Sequence, residues 1–351
     1  MCVISYNIFL IEEFTSNPFF MKTQAHFFQK LKPGIPIYSS LAAEVATALQ
    51  VSVDSAYRRI RGEKLLNFDE ISLLCQFFNV SLDEFLCLNT TSILFQSRPK
   101  RKEEDALMHW LEDLYGQLHF INSHPRRHLY FLINDLPPFH HFYHPLLASF
   151  KIFFWMRSIL PLGHLGQEKF SLIKNYLSPY ESLIHKIVRA YTRVPSTELW
   201  NKDALNTTLR QIESYQDMGL MADKNTTRQV YSSLLEVIDH LEKMAIEGTK
   251  SALGQEPNLE SATYTLYLND IVSGDNTVMA EIGEAKITYL NHSVLYFVGS
   301  KDRDFNESTF RNMENLIKKS SLLSGSGEKE RTLVFNKLRK KVIAKMEGLD
   351  R

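Results

Sequence analysis

The sequence predicts a mainly α-helical protein with a small α+β region at its C-terminal end, and three observations support this. Short amphipathic segments with helix-capping residues fill residues 22–88, and apolar side chains recur at helical spacing through most of 106–255. The alternation typical of a β-strand begins only near residue 262. The chain is 44% hydrophobic with only 14 Gly and 12 Pro in 351 residues, which excludes collagen-like, low-complexity and wholly disordered proteins.

Charge and cysteine usage exclude further classes of protein. The 40 Lys and Arg residues balance 40 Asp and Glu residues, so any contact with nucleic acid must be confined to a local patch. Three cysteines without a CxxC spacing indicate neither a disulfide framework nor a metal site. The apolar runs 2–11 and 139–162 are too short or too often interrupted by polar residues to act as a signal peptide or a membrane span. We therefore expect a cytoplasmic protein that does not enter a membrane.

Composition shifts along the chain predict five segments. Residues 1–20 are a doubtful N-terminal extension, because Met21 is an alternative start of translation ahead of the first helix. Residues 21–95 form the first domain, and 96–105 (QSRPKRKEED) form a charged linker without apolar side chains. Residues 106–255 are predicted to be α-helical. Residues 256–351 are predicted to contain an antiparallel meander of three or four strands at about 262–301, followed by two helices.

The most informative pattern lies between residues 40 and 62, where two short helices flank a tight turn. The first helix carries small residues at Ala42, Ala43 and Ala46, which allow close approach of a crossing helix. After the turn at Gln50-Val51, Ser52 is suited to cap the second helix, and Gly62 to end it. Five apolar residues predict a shared core beneath the two helices: Val45, Leu49, Val51, Ala56 and Ile60. The opposite face of the second helix would then be polar and basic.

Together these residues resemble the lambda-repressor-like (XRE-type) helix-turn-helix family. The likeness rests on the small-residue helix, the Val-Ser turn, the Arg61-Gly62 ending and the tail Phe78-Asn79-Val80-Ser81-Leu82-Asp83-Glu84-Phe85. Two positions depart from the family pattern, since Gln50 replaces the usual turn glycine and Arg59 replaces the usual aromatic residue near the end of the second helix. The rest of the chain resembles more loosely the long C-terminal regions of bacterial regulators that carry such heads.

The resemblance implies a sequence-specific transcriptional regulator whose second motif helix lies in the major groove of double-stranded DNA. Carried over by position, it nominates a base-contacting set: Ser52, Val53, Asp54, Tyr57 and Arg58. Arg58 would contact guanine, and Val53 a thymine methyl group. Three further cations would contact phosphates: Arg59, Arg61 and Lys64. Residues 52–64 hold four positive and two negative side chains, so the local excess of charge is small.

Because one weakly basic head binds DNA weakly, we expect a homodimer that presents two heads. The large region after the linker would dimerise the chain, bind an unknown effector, or contact another protein. Two alternatives stay open. The head could instead be a protein-docking module of a scaffold, and the aromatic stretch from Phe139 to Trp155 could line a ligand pocket or simply form core.

No pattern predicts an enzyme, a cofactor or a metal. Five histidines include pairs at helical i, i+4 spacing, but prolines interrupt that region and aromatic neighbours favour a structural role: His124, His128, His140, His141 and His144. The stretch Gly325-Ser326-Gly327-Glu328-Lys329 lacks the spacing of a phosphate-binding loop and follows a helix, which favours a simple turn. The SxxK tetrad at Ser171 has no partner motif.

Overall fold

The structure is a computed structural model that describes residues 18–31, 39–78, 80, 82, 93, 95, 106–160, 165–270, 276–293, 295 and 297–350. Internal contacts divide the chain into two compact units, Met1–Leu94 and Phe95–Arg351, which we call the head unit and the body unit. Three features predicted above lie outside the described residues. These are the N-terminal stretch 1–17, the Ser81 and Glu84 tail pattern, and the charged linker 96–105.

The described part of the head unit consists of four helices: α1 (Pro18–Leu31), α2 (Leu41–Leu49), α3 (Val53–Ile60) and α4 (Phe68–Phe77). The first of them begins three residues before Met21. A small apolar core joins the helices and includes two members of the predicted set, Val45 and Ala56: Phe27, Phe28, Leu31, Val45, Ala46, Ala56 and Leu74. The other three predicted core residues are partly buried and pack against this cluster: Leu49, Val51 and Ile60.

The described part of the body unit contains eight helices and seven strands. The helices are α5 (Ala106–Asn122), α6 (Pro138–His141), α7 (Pro145–Ser158), α8 (Glu181–Tyr191), α9 (Asn206–Asp217), α10 (Lys224–Glu247), α11 (Arg303–Lys318) and α12 (Glu328–Gly348). The strands are β1 (Arg127–Ile133), β2 (Ser196–Trp200), β3 (Tyr264–Leu268), β4 (Thr277–Ile282), β5 (Ala285–Asn291), β6 (Phe297–Ser300) and β7 (Ser321–Leu322).

The strands form one mixed sheet in the order β6-β5-β4-β1-β2-β3-β7. Strands β1, β2 and β3 run parallel to one another, and the other pairings are antiparallel. The prediction of a mainly α-helical chain with a small C-terminal meander is therefore wrong, because the body unit is an α/β structure built on a large central sheet. Strands β4 to β6 do form a meander, but β1 and β2 separate β3 from β4.

Two of the three missed strands, β1 and β2, have sequences that do not show the period of a strand. Strand β1 reads RHLYFLI, a nearly continuous apolar run that fits a buried helix as well as a strand. Strand β2 reads STELW, and all five residues are buried because structure covers both faces of the central sheet. A strand buried on both faces loses the alternation of apolar and polar residues that identifies a half-buried strand.

Helices cover both faces of the sheet. The main core of the body unit lies on the face that carries Leu129, Phe131 and Trp200, and it includes α7, α8 and α10. Helix α11 covers the other face, where a smaller cluster forms between Leu199, Met279, Phe310 and Met313. This arrangement places side chains of β2 at the centre of the unit.

Candidate nucleic-acid interface

The turn between α2 and α3 adopts the left-handed geometry that usually calls for glycine. Gln50 has φ 52° and ψ 45°, and within the described residues no other non-glycine residue has a positive φ. The amide of Val51 donates to the carbonyl of Ala46 at 3.0 Å, which satisfies a carbonyl at the end of α2. The predicted tight turn is thus present, with glutamine in the strained position.

Helix α3 begins and ends where the sequence predicts. The side chain of Ser52 accepts a hydrogen bond from the amide of Ser55 at 3.2 Å, which caps the helix. At the other end, the amide of Gly62 donates to the carbonyl of Arg59, and that of Glu63 to the carbonyl of Arg58. This pair of hydrogen bonds is a Schellman motif, and Gly62 adopts the left-handed conformation that it requires, with a φ of 79°.

A glutamine from α1 holds the segment that follows α3. The side-chain amide of Gln24 donates to the carbonyls of Arg59 at 2.7 Å and Lys64 at 2.9 Å, and its oxygen accepts from the amide of Leu66 at 3.0 Å. Three bonds from one side chain to backbone groups fix the path of residues 61–66. Sequence reasoning missed this role, because nothing near Gln24 indicates a partner about 40 residues away.

The exposed face of α3 brings together most of the predicted contact residues. Val53 and Tyr57 are each 47% exposed, although large apolar side chains usually lie inside. The side chains of Arg58 and Arg61 are each 57% exposed and that of Lys64 is 53% exposed. Ser52 and Asp54 are exposed at the start of the helix. These residues span one side of the helix, opposite the buried Ala56.

Arg59 does not lie on this face, so its prediction as a phosphate contact is corrected. The residue is 2% exposed, and its guanidinium donates to Oε1 of Glu70 from Nε at 3.2 Å and from Nη2 at 2.5 Å. Its Nη1 donates to the hydroxyl of Ser55 at 2.6 Å. The hydrogen bond from Arg59 lowers the pKa of Glu70 below its ordinary value, although burial acts in the opposite direction. Arg59 therefore ties α3 to α4.

The body unit contains a second polar cluster that the sequence did not reveal. Glu198 on β2 is completely buried, and four neighbouring groups surround its carboxylate: Nε2 of His140 at 2.9 Å, the hydroxyl of Tyr191 at 2.6 Å, Nε1 of Trp200 at 2.8 Å and the hydroxyl of Tyr264 at 3.2 Å. Burial raises the pKa of this carboxyl group, but His140 and the hydrogen bond from Tyr191 outweigh burial and lower the pKa to about 2. We therefore treat Glu198 as an ionised group at the centre of the fold.

Lys250 completes this cluster from the loop after α10. Its ammonium group donates to the carbonyls of Val194 at 2.7 Å and Tyr191 at 3.3 Å, and lies 3.5 Å from the centre of the Tyr191 ring. Complete burial lowers the pKa of Lys250 to about 7, and the charge of Glu198 offsets only part of that effect.

The remaining histidines of the predicted cluster are placed separately. His141 contacts the hydroxyl of Thr208 at 2.8 Å, and His128 contacts that of Thr197 at 2.9 Å. His144 caps α7 by accepting a hydrogen bond from the amide of Leu146, whereas His124 lies near the carbonyl of Phe120. His128 lies on a strand, so it cannot share a helix face with His124. Among the described residues, no three His, Cys, Asp or Glu side chains are placed to share a metal ion.

Comparisons of the chain with known protein families, with curated proteins and with solved structures gave no match. The resemblance to helix-turn-helix regulators therefore rests on the sequence pattern of the head unit alone. In the part of the chain that the structure describes, no helix has both the length and the apolar composition needed to cross a bilayer.

Proposed function

We propose that this chain is a cytoplasmic, sequence-specific DNA-binding transcriptional regulator, and that α3 of its head unit enters the major groove. In this proposal, side chains from the N-terminal part of α3 contact base edges, and Arg61 and Lys64 contact phosphates. A homodimer would present two heads to two half-sites, with the body unit providing dimerisation or effector binding.

The observation that carries the proposal is the way the head unit distributes the three arginines at positions 58, 59 and 61. Arg59 is buried against Glu70, whereas Arg58 and Arg61 are directed away from the core and stay more than half exposed. The pair of Arg59 and Glu70 fixes the orientation of α3, so the other two arginines occupy a defined surface beside Val53 and Tyr57. The two exposed apolar side chains supply surface that can contact base edges, such as the methyl group of thymine.

The proposal is tested by selecting preferred duplexes from a random-sequence pool with the full chain, then titrating salt against the preferred and a random duplex. Arg58→Ala should relax base preference, costing about 1–3 kcal/mol on the preferred duplex only. Arg61→Ala should weaken both duplexes alike and reduce the slope of log affinity against log salt by about 0.9. Equal losses on both duplexes for both variants, or no salt-dependent binding at all, would contradict the proposal.

One observation favours the docking alternative. Helix α4 exposes Phe68 by 75% and both Leu73 and Phe77 by 47%, which is unusual for large apolar side chains of a small domain. If the head docks to a protein through α4 instead of binding DNA, Leu73→Lys should abolish capture of that protein, and the wild-type chain should show no salt-dependent duplex binding. Loss of duplex binding in Arg58→Ala but not in Leu73→Lys would favour the DNA-binding function.

A further inference from the structure

We propose that Glu63 is a specificity-determining residue of the head unit. It positions Arg58 for base contact, and it weakens the phosphate contacts through which the head binds random-sequence DNA. The inference rests on the proposed DNA-binding function and concerns the same surface. It follows from where the helix ending places one carboxylate, between two exposed guanidinium groups.

The backbone of Glu63 is held in place at the end of α3. Its amide donates to the carbonyl of Arg58 at 2.8 Å in the Schellman motif, and the clamp from Gln24 to the carbonyl of Lys64 begins one residue later. A carboxylate at the C-terminal end of a helix opposes the helix dipole, so the position is electrostatically unfavourable unless cations compensate it. Two arginines supply that compensation.

The carboxylate meets the two arginines differently. Oε1 lies 2.9 Å from Nε of Arg61, and Nη2 of Arg61 donates to Oε2 at 3.4 Å. Arg58 approaches Oε2 with its Nε, at 3.8 Å. Bidentate recognition of guanine uses the outer nitrogens of a guanidinium group, so an ion pair on the Nε edge of Arg58 orients the side chain and leaves its terminal amino groups for O6 and N7.

The same carboxylate lowers the charge that the surface presents to DNA. With Arg59 buried, residues 52–64 expose three cations (Arg58, Arg61 and Lys64) and two carboxylates (Asp54 and Glu63), a net charge of only +1. Binding to random duplex depends almost entirely on neutralised phosphates. A carboxylate that is paired with Arg61 therefore weakens binding to random duplex. A duplex with guanine opposite Arg58 still gains that base contact, because Glu63 orients the Arg58 side chain. Specificity of this kind uses a repulsive element as well as an attractive one.

The test measures affinity of the full chain for its selected duplex and for random duplex across a salt titration, with three variants. Glu63→Gln should bind random duplex about three- to tenfold more tightly, because its uncharged side chain no longer competes with phosphate for Arg61. Its affinity for the selected duplex should not rise by more than about twofold, because the orientation of Arg58 is lost. Glu63→Asp keeps the charge but shortens the reach, so it should lose affinity for the selected duplex and leave random binding unchanged.

The matched control is Glu284→Gln, which changes the charge equally and breaks an exposed pair with Arg126 at 3.0 Å in the body unit. It should leave both affinities unchanged. A selected-to-random ratio that Glu63→Gln leaves unaltered, while the wild-type chain discriminates, would overturn this inference alone. A wild-type chain that shows no salt-dependent duplex binding would overturn the proposed function as well. Thermal unfolding of each variant followed by circular dichroism separates these outcomes from misfolding.

Discussion

The head unit and the body unit each hold a glutamate away from water: Glu70 at the start of α4 and Glu198 in the middle of β2. The Glu70 side chain keeps 15% of its surface exposed and pairs with Arg59, one of two arginines on the neighbouring helix α3. The Glu198 side chain has no exposed surface, and it is surrounded by a histidine, two tyrosines and a tryptophan. The Glu70 site joins the surface helices α3 and α4. The Glu198 site joins the central strand β2 to the helices packed against it.

The difference shows how the surroundings of a charge determine its use. Near the surface of the head unit, one buried pair orients α3 and leaves the adjacent charges available to a partner. In the body unit, the donors around Glu198 lie in the core, and within the described residues the cluster lines no open groove. A buried ionised group that loses its partners is costly, so the cluster should act on the stability of the body unit.

The largest expected effect comes from removing the central carboxylate. Glu198→Ala leaves the donors of His140, Tyr191 and Trp200 without their acceptor and should destabilise the body unit by about 3–5 kcal/mol. Urea unfolding followed by tryptophan fluorescence measures this unit selectively, because all three tryptophans of the chain follow residue 95. Glu198→Gln retains an acceptor oxygen and serves as the milder control. A loss below about 1 kcal/mol for the alanine variant would refute the structural role of the cluster.

A smaller effect is expected in the head unit. Arg59→Met leaves Glu70 partly buried without its cation, and we expect the free energy of unfolding of the head unit to fall by about 2 kcal/mol. The unfolding of this unit is the part of the transition that is seen by circular dichroism but not by tryptophan fluorescence. Adding Glu70→Gln to that variant should restore part of the loss, since the unpaired charge is then removed.

Arg61→Met is the matched control for this prediction. Its pair with Glu63 is exposed, so the change in the free energy of unfolding should stay within about 0.5 kcal/mol. Equal losses for the two arginine variants would contradict the assignment of Arg59 to structure and Arg61 to the surface.

The pH dependence of the body unit gives a more gradual test. The folded state lowers the pKa of Lys250 from 10.5 to about 7, so between these values the unfolded chain binds a proton that the folded chain does not. Stability from this group therefore rises as the pH rises from about 7 to about 10.5, by at most about 1.4 kcal/mol per pH unit.

The comparison variant is Lys250→Met, which cannot titrate. The difference in unfolding free energy between the wild-type chain and this variant should increase in favour of the wild type across that pH range. Urea unfolding at pH 7, 8 and 9 measures it. A difference that stays constant over this range would show that Lys250 has no lowered pKa in the folded body unit.

Local chemistry in the head unit could be predicted well, because its signals lie close together in the chain. The cap at Ser52 and the glycine ending at Gly62 both involve residues that lie within a few positions of each other. The tight turn at Gln50 and Val51 was predicted and is present, and the structure adds that Gln50 adopts the left-handed conformation. The role of Arg59 was mistaken because its partner, Glu70, lies 11 residues away on another helix.

The body unit could not be predicted in the same way, because its elements depend on distant pairings. Strand β2 pairs with β1 on one side and β3 on the other, and these partners lie more than 60 residues away in the chain. The strand therefore carries a glutamate and a tryptophan in a five-residue run with no visible period. His140 gives no local sign of its carboxylate partner, because 58 residues separate it from Glu198.

The sequence by itself determined the helices of the head unit, their caps, and the basic character of α3, since helix periodicity and capping act within one or two turns. Only the tertiary structure decided which arginine is buried, which carboxylate lies between the exposed pair, and that the body unit is built on a seven-stranded sheet. Those outcomes depend on which distant groups meet, because a charge or a strand can be buried only where another element supplies its hydrogen-bond partners.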